Sequence, residues 1–354
     1  MNARRVATWA AAATVLLWPM VTALAATPLR EVRVSPDTTV TLGGLTANDE
    51  SVVKDDLAGS VTSISIGSIP AQADLDAYNV RPNGVQLLSF DTTVVLPGGI
   101  TAQPGDVVRY DGASYAIEFN ASTSGIGTGV NLDAVAVYGS ALLLSFDSAI
   151  DIGGLHVEPA DLVLFNGSTF SIFFGSSPAG ISPELNLDAA DYLPCNGHLL
   201  LSFDGSGTIG GVAFDDEDVL EFDRSSTWEM AYRGSAHDPA WGPADLDAVH
   251  AVVNFGTGTP AVFGQTVTAD ANKTTFRWPT PAAFRAVRGS FTTPASIGAY
   301  AVQTITLGTG SVVVDAAAPA PGTGFWFLVK PGGCAQTSWQ STLGLESGRD
   351  SAIP

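Results

Sequence analysis

The phrase Leu-Leu-Ser-Phe-Asp occurs three times in this chain, ending at Asp91, Asp147 and Asp204, in steps of 56 and 57 residues. A second phrase, Leu-Asp-Ala, occurs four times, with its aspartate at 76, 133, 188 and 247, in steps of 57, 55 and 59. Two phrases keeping one period mean that a single supersecondary unit has been copied. Such units bury their apolar faces only against one another. The chain must therefore build an array or a ring of like units.

The unit reads as all-β. In the second full copy, Leu132–Val137 and Leu142–Phe146 are short apolar runs separated by Tyr138-Gly-Ser140. Gly153-Gly154 and Pro159 punctuate the next segment. Asp161–Phe165 leads into Asn166-Gly167, a strong two-residue hairpin signal, and Thr169–Phe174 completes the copy. The expectation is four strands per unit, with the first two buried on both faces because their apolar runs barely alternate. No segment after residue 25 shows helical periodicity.

The ends of the array predict its closure. Val32 to Gly67 holds a degenerate copy with second, third and fourth strands but no first. Leu246–Val252 supplies a first strand with no complete unit after it. The piece missing at one end is the surplus at the other. A ring joins them, so three complete blades and one composite blade make a four-bladed β-propeller of about 56-residue repeats over residues 26–255. A linear solenoid or a stacked sandwich is the alternative, and neither needs complementary ends.

Composition changes where the repeat stops. Residues 26–255 hold 31 acidic and 7 basic residues, whereas residues 256–354 hold 4 and 6. A boundary near Gly256 is expected. A ring this acidic is repelled by phosphate backbones, so nucleic acid is not an expected partner. At the start of the chain, Arg4 and Arg5 precede the largely apolar run Val6–Leu24, and Ala23-Leu24-Ala25 is a small-residue cleavage site. Residues 1–25 read as a secretory signal peptide, with an N-terminal anchor as the alternative. No later stretch is expected to span a membrane, and the protein is expected to be secreted or at the cell surface. The two cysteines, Cys195 and Cys334, leave both a disulfide and two free thiols open.

The copy at Leu187-Asp-Ala-Ala190 resembles the hemopexin repeat, whose blades begin with an Asp-Ala-Ala phrase. That resemblance covers about residues 30–255 and implies four blades; it carries over no haem ligand. The Leu-Leu-Ser-Phe-Asp phrase with its Asp-Gly or Asn-Gly hairpin is also similar to repeats of uncharacterised secreted bacterial proteins. In residues 256–354, Thr274–Trp278, Ala283–Arg288, Ser311–Asp315 and Gly324–Lys330 resemble strands of a fibronectin type III β-sandwich. That resemblance implies a module for display or attachment, with Trp278, Phe325 and Phe327 in its core and Trp326 and Trp339 nearer its surface.

The candidate site is the set Asp76, Asp133, Asp188 and Asp247. Each stands at the start of a predicted innermost strand, so a ring brings the four carboxylates to one axis. Like charges converging in a narrow mouth call for a cation or for backbone amides. Calcium suits an all-oxygen cage, and Asp74, Asn131, Asn186 and Asp245, two positions earlier, add oxygen ligands. The competing expectation is that each aspartate accepts local backbone N–H groups. Asp37, Asp91, Asp147 and Asp204 read as turn formers, and Asp215-Asp-Glu-Asp218 as a solvated loop. His237-Asp238 with Trp241 reads as a loop peculiar to the last copy. The four histidines, at 156, 198, 237 and 250, form no zinc-protease pair, and no Gly-x-Ser-x-Gly elbow or phosphate loop is present. The expected function is non-enzymatic recognition of a protein or glycan by an acidic ring, with calcium as its cation. The alternatives are a secreted hydrolase or lyase using channel carboxylates, and a structural subunit of the cell surface.

Overall fold

The computed structural model of the protein describes residues 26–254, 268–271, 275–277, 284–293, 302–305, 312–314 and 318–331. The expected signal peptide, the boundary near Gly256, and Trp278, Cys334 and Trp339 lie outside the described residues.

Residues 26–254 form four blades, each a four-stranded antiparallel sheet. From the axis outward, the second blade runs Ala77–Val80, Gln86–Ser89, Val107–Tyr110, Tyr115–Phe119. The third runs Ala134–Tyr138, Ala141–Ser145, Leu162–Phe165, Phe170–Phe174. The fourth runs Ala189–Leu193, His198–Ser202, Asp218–Phe222, Trp228–Arg233. The first is composite: Leu246–Val253 lies innermost, followed by Leu29–Pro36, Val52–Asp55 and Val61–Ile64. The four innermost strands contact one another in a closed cycle, so the array is a ring.

Closure is a ladder. Leu246–Val253 pairs antiparallel with the whole of Leu29–Pro36, from Leu29↔Val253 to Pro36↔Leu246. Asn254 N–H donates to Pro28 O at 2.7 Å beyond one end, and Asp37 N–H to Asp245 O at 3.1 Å beyond the other. The His237-Asp238…Trp241 segment staples the same seam. Asp238 Oδ2 accepts Gly43 N–H at 2.7 Å, His237 stacks on Tyr232, and Trp241 is fully buried in the core shared by the first and fourth blades. The segment forms two short helical turns, Gly234–His237 and Pro239–Trp241, where the equivalent connections of the second and third blades form one, Ser122–Ser124 and Ser176–Ala179.

The repeated phrase is explained residue by residue. Its leucines are buried on both faces of the second strand, and its phenylalanine (Phe90, Phe146, Phe203) is fully buried between blades. Its serine bridges two carbonyls across the bend into the third strand: Ser145 Oγ donates to Pro159 O at 2.8 Å and Asp161 O at 2.9 Å, and Ser35, Ser89 and Ser202 do the same. Between second and third strands each blade adds a small two-stranded hairpin, Val94–Leu96 with Ile100–Ala102 in the second blade. The Gly-Gly pairs punctuate these hairpins, which makes six strands per repeat where the sequence suggested four. Blades are keyed by aromatics. Phe119 packs edge-on against Phe165 and Phe170 of the next blade, and Phe174 against Phe222 and Trp228.

In the C-terminal part, the described strands form two three-stranded antiparallel sheets, one centred on Thr275–Arg277 and one on Phe284–Phe291. Phe325, Trp326 and Phe327 are all half-buried. Arg288 sits over the Phe325 ring at 4.4 Å. Among the described residues no helix is long and apolar enough to cross a membrane.

Two substitutions separate the roles inside the phrase. Ser145→Ala removes the buried hydroxyl that bridges Pro159 O and Asp161 O, leaving Pro159 O only Leu187 N–H at 3.4 Å, and should cost roughly 1–3 kcal/mol. Phe146→Ala opens a cavity between blades and should cost about 3–5 kcal/mol. Equilibrium denaturation of the full chain checks both values.

Candidate functional site

Each innermost strand begins on the same face of the ring, its mouth, with its axial aspartate immediately before it or, for Asp247, as its second residue. The backbone there is fixed by the ladder: Asp76, Asp133 and Asp188 N–H donate to Ser89, Ser145 and Ser202 O, each at 3.2 Å. The ring brings all four carboxyls together. Asp133 acts electrostatically on both Asp76 and Asp188, Asp247 on Asp188, and Asp76 on Asp247, which completes a cycle around the axis. Asp133 is buried, and the other three are half-buried.

The structure gives these aspartates a partner that neither sequence expectation contained. The residue two positions earlier reaches across to the axial aspartate of the preceding blade. Asn131 Nδ2 donates to Asp76 Oδ2, and Asn186 Nδ2 donates to Asp133 Oδ2 at 2.5 Å. At the two remaining seams the asparagine is replaced by aspartate. Asp245 faces Asp188, and Asp74 faces Asp247. A bond between two carboxyls needs a proton on one of them. With both ionised, Asp188 Oδ2 has no donor, and neither has Asp74 Oδ1. The local backbone role falls to the same earlier residues: Asn131, Asn186 and Asp245 each accept the N–H of the following leucine, at 3.0, 2.9 and 2.6 Å.

Burial is the largest cause of perturbed acidity at the mouth, and neighbouring aspartates add to it. Asp76 is pushed up to about 8, Asp133 to about 7, Asp247 to about 9 and Asp74 to about 7. Asp188 and Asp245 are raised for the same two reasons. The outer aspartates Asp37, Asp147 and Asp204 are exposed and clasp the run before each innermost strand: Asp204 Oδ1 accepts Asn186 N–H at 2.8 Å, Asp147 Oδ1 accepts Asn131 N–H at 3.0 Å, and Asp37 Oδ1 accepts Asp245 N–H at 2.8 Å. Their carboxylates thus hold a separate run of chain rather than their own turn, which differs from the turn-forming role expected of them. Among the described residues, no group of three or more His, Cys, Asp or Glu is arranged to hold a metal ion.

Two groups of acids escaped the sequence reading. Asp106, Asp161 and Asp218 are buried just before or at the start of each third strand, and each accepts a backbone N–H three residues back, at 3.1, 3.1 and 3.2 Å. Their near-regular spacing was the signal available. Asp218 and Glu217 are therefore not part of a solvated loop: they are 1% and 3% exposed, and Asp218 pairs with Arg233 at 3.3 Å. Deeper along the axis, buried Asp191 accepts Asn79 Nδ2 at 2.9 Å from the opposite blade and Ala251 N–H at 2.8 Å, with His250 Nδ1 at 3.2 Å. Asn79, Ala136, Asp191 and His250 are equivalent positions of four blades, so this polar cross-brace exists only in the assembled ring. Cys195 is disulfide-bonded.

No family model matches the chain, and no curated protein does. Solved structures resemble it at low similarity. One, of YCF48 bound to D1 peptide, is 10% identical with a TM-score of 0.29, over 67% of this chain and 99% of that one. The extracellular domain of the putative one component system BT4673 from B. thetaiotaomicron is 7% identical with a TM-score of 0.32, over 72% of this chain and 44% of that one. A catalytically inactive virginiamycin B lyase from Staphylococcus aureus with quinupristin is 9% identical with a TM-score of 0.28, over 72% of this chain and 94% of that one. Similarity this low carries no argument, and the four blades rest on the strand pairing itself.

The mouth makes stability depend on pH. Its folded-state carboxyls hold protons that the unfolded chain releases near the ordinary carboxylate value, so the native state binds more protons between the two. This stabilisation is complete at acid pH and drains away as pH rises through about 7 to 9. The melting temperature of the ring should fall from pH 5 to pH 9, measured by circular dichroism in a calcium-free buffer. Asn186→Asp creates a further carboxyl pair and should destabilise by roughly 1–3 kcal/mol at pH 8, and by less at pH 5.

Proposed function

We propose that this chain is an exported, non-enzymatic recognition protein that uses the acidic mouth of its propeller to bind a partner protein through basic groups. The observation that carries this reading is the convergence of four axial aspartates, with Asp74 and Asp245 beside them, whose leading charged neighbours are again aspartates. As its protons leave, through about pH 7 to 9, such a mouth gains negative potential over low-dielectric walls and attracts cations. The ring beneath it is closed and cross-braced, so recognition needs no folding on binding and costs little ordering entropy. The fibronectin-like sandwich read in residues 256–354 would serve as the attachment module, and residues 1–25 as the export signal.

Calcium at the axial aspartates is the second reading. The donorless Asp74 Oδ1 and Asp188 Oδ2 favour it, because a hard cation satisfies carboxylate oxygens that lack a donor. Both readings share one linkage: a cation at the mouth displaces protons, so it binds more tightly as pH rises.

Isothermal titration of the full chain with a lysine-rich peptide, and separately with calcium, tests both. The peptide should bind more tightly at pH 8 than at pH 6, more weakly in high salt, and not when its lysines are acetylated. The double variant Asp133→Asn/Asp188→Asn should lose binding while keeping the fold. Unchanged affinity in that variant would discard the mouth as the site. For calcium, saturation at about 100-fold over the dissociation constant adds roughly 2.7 kcal/mol of stability. No shift of the melting temperature between calcium and EDTA ends the calcium reading.

A further inference from the structure

The contacts between blades are built on one template, so equivalent positions can be compared around the ring. The registers Ala77↔Ser89 and Ala134↔Ser145 make Arg81 and Tyr138 equivalent, each at the far end of an innermost strand. The registers Val108↔Leu88 and Val163↔Leu144 make Arg109 and Leu164 equivalent. The outermost strands of both blades bulge at the same place, which makes Glu118 and Phe173 equivalent. In the second blade these positions hold an ion network, Arg81–Glu118 at 2.6 Å and Arg109–Glu118 at 3.3 Å. In the third blade the same positions are apolar and aromatic.

The fourth blade completes the aromatic cluster with Tyr192. Tyr138 lies edge-on to Phe173 and to Tyr192, both at 4.9 Å between centroids, and Phe173 and Tyr192 are 6.0 Å apart. All three rings are half-buried, so each keeps an open surface. Arg224, in the hairpin Asp223–Thr227 on the face opposite the mouth, lays its guanidinium 4.1 Å above the Phe173 ring.

Arg224 is set apart by its lack of a carboxylate partner. Its φ of +60° is a left-handed backbone shared by Leu57 in the first blade's hairpin (φ +57°), where the second and third blades place Gly112 and Gly167. Every other arginine of the ring pairs with a carboxylate: Arg30 and Arg33 with Glu31, Arg81 and Arg109 with Glu118, and Arg233 with Asp218. In a chain this rich in acids, Arg224 alone among them has no ion pair within the described residues. Its neighbour Asp223 spends its carboxylate on Ser225, Ser226 and Thr227 N–H instead. The hydroxyls of Tyr138 and Tyr192 likewise make no hydrogen bond within the described residues.

We propose that the partly open aromatic cluster of Tyr138, Phe173 and Tyr192, with Arg224 beside it, is a binding site for an acidic sugar, a pyranose bearing a carboxylate. The C–H face of a sugar ring is apolar and lies on open aromatic surface, while its hydroxyls need polar partners at the rim, which the two tyrosines supply. The guanidinium fork matches a carboxylate in two parallel hydrogen bonds, and its stacking on Phe173 holds it ready for them. The site lies on the face away from the aspartates, so it stands whether or not the mouth binds a basic partner.

The test is isothermal titration of the full chain at low salt with a short oligogalacturonate, against a neutral galacto-oligosaccharide of the same length. The acidic oligomer should bind, and the neutral one at least about tenfold more weakly. Arg224→Gly restores the glycine of the neighbouring hairpins. It should melt no lower than the parent, yet bind oligogalacturonate about tenfold or more weakly. Tyr192→Phe removes only a hydroxyl, keeps the ring packed and should weaken binding severalfold. No binding by the parent chain overturns the proposal. So does equal affinity for the neutral oligomer, or unchanged affinity in both variants.

Discussion

Pairing of Leu246–Val253 with Leu29–Pro36 closes the ring, and the contacts across its axis presuppose it. Without it, each blade would pack on its neighbours in an open stack with two bare edges and no axis. With it, four innermost strands meet, and residues from opposite blades come within hydrogen-bonding distance. Asn79 reaching Asp191 is the direct expression of that closure. The seam is reinforced accordingly, by backbone bonds beyond both ends of the ladder and by Trp241, buried in the core shared by the first and fourth blades.

Closure also creates the electrostatic problem at the mouth. A strand whose start meets the axis in four copies brings four carboxyls there, and burial raises the cost of ionising them. Two seams relieve this with an asparagine amide. The other two, both on the closing strand that carries Asp245 and Asp247, set carboxyl against carboxyl. The ring is thus held by neutral contacts on one side and by proton- or cation-dependent contacts on the side where the chain's ends meet. The same uneven use of equivalent positions recurs on the opposite face. There the template gives an ion network at Arg81, Arg109 and Glu118 and an aromatic cluster at Tyr138, Phe173 and Tyr192. The repeat sets the scaffold, and departures from the repeat set the chemistry.

Fold class, period, blade number and closure were all legible in the chain as written. A copied apolar pattern must bury itself against its copies, and the missing first strand at one end matches the surplus strand at the other. The axial aspartates were legible too, since each stands at the start of an innermost strand. The cross-blade contacts of Asn131 and Asn186, the burial of Glu217 and Asp218, and the aromatic cluster were not. Each of these joins residues whose spacing follows from blade twist and bulge position, neither of which is written in local periodicity. The small hairpins around the Gly-Gly pairs were missed because three-residue strands carry too little pattern to read. Which carboxyls have donors, which arginine stands alone and where open aromatic surface lies were settled by folding in three dimensions, because those properties belong to the closed ring and to no single repeat.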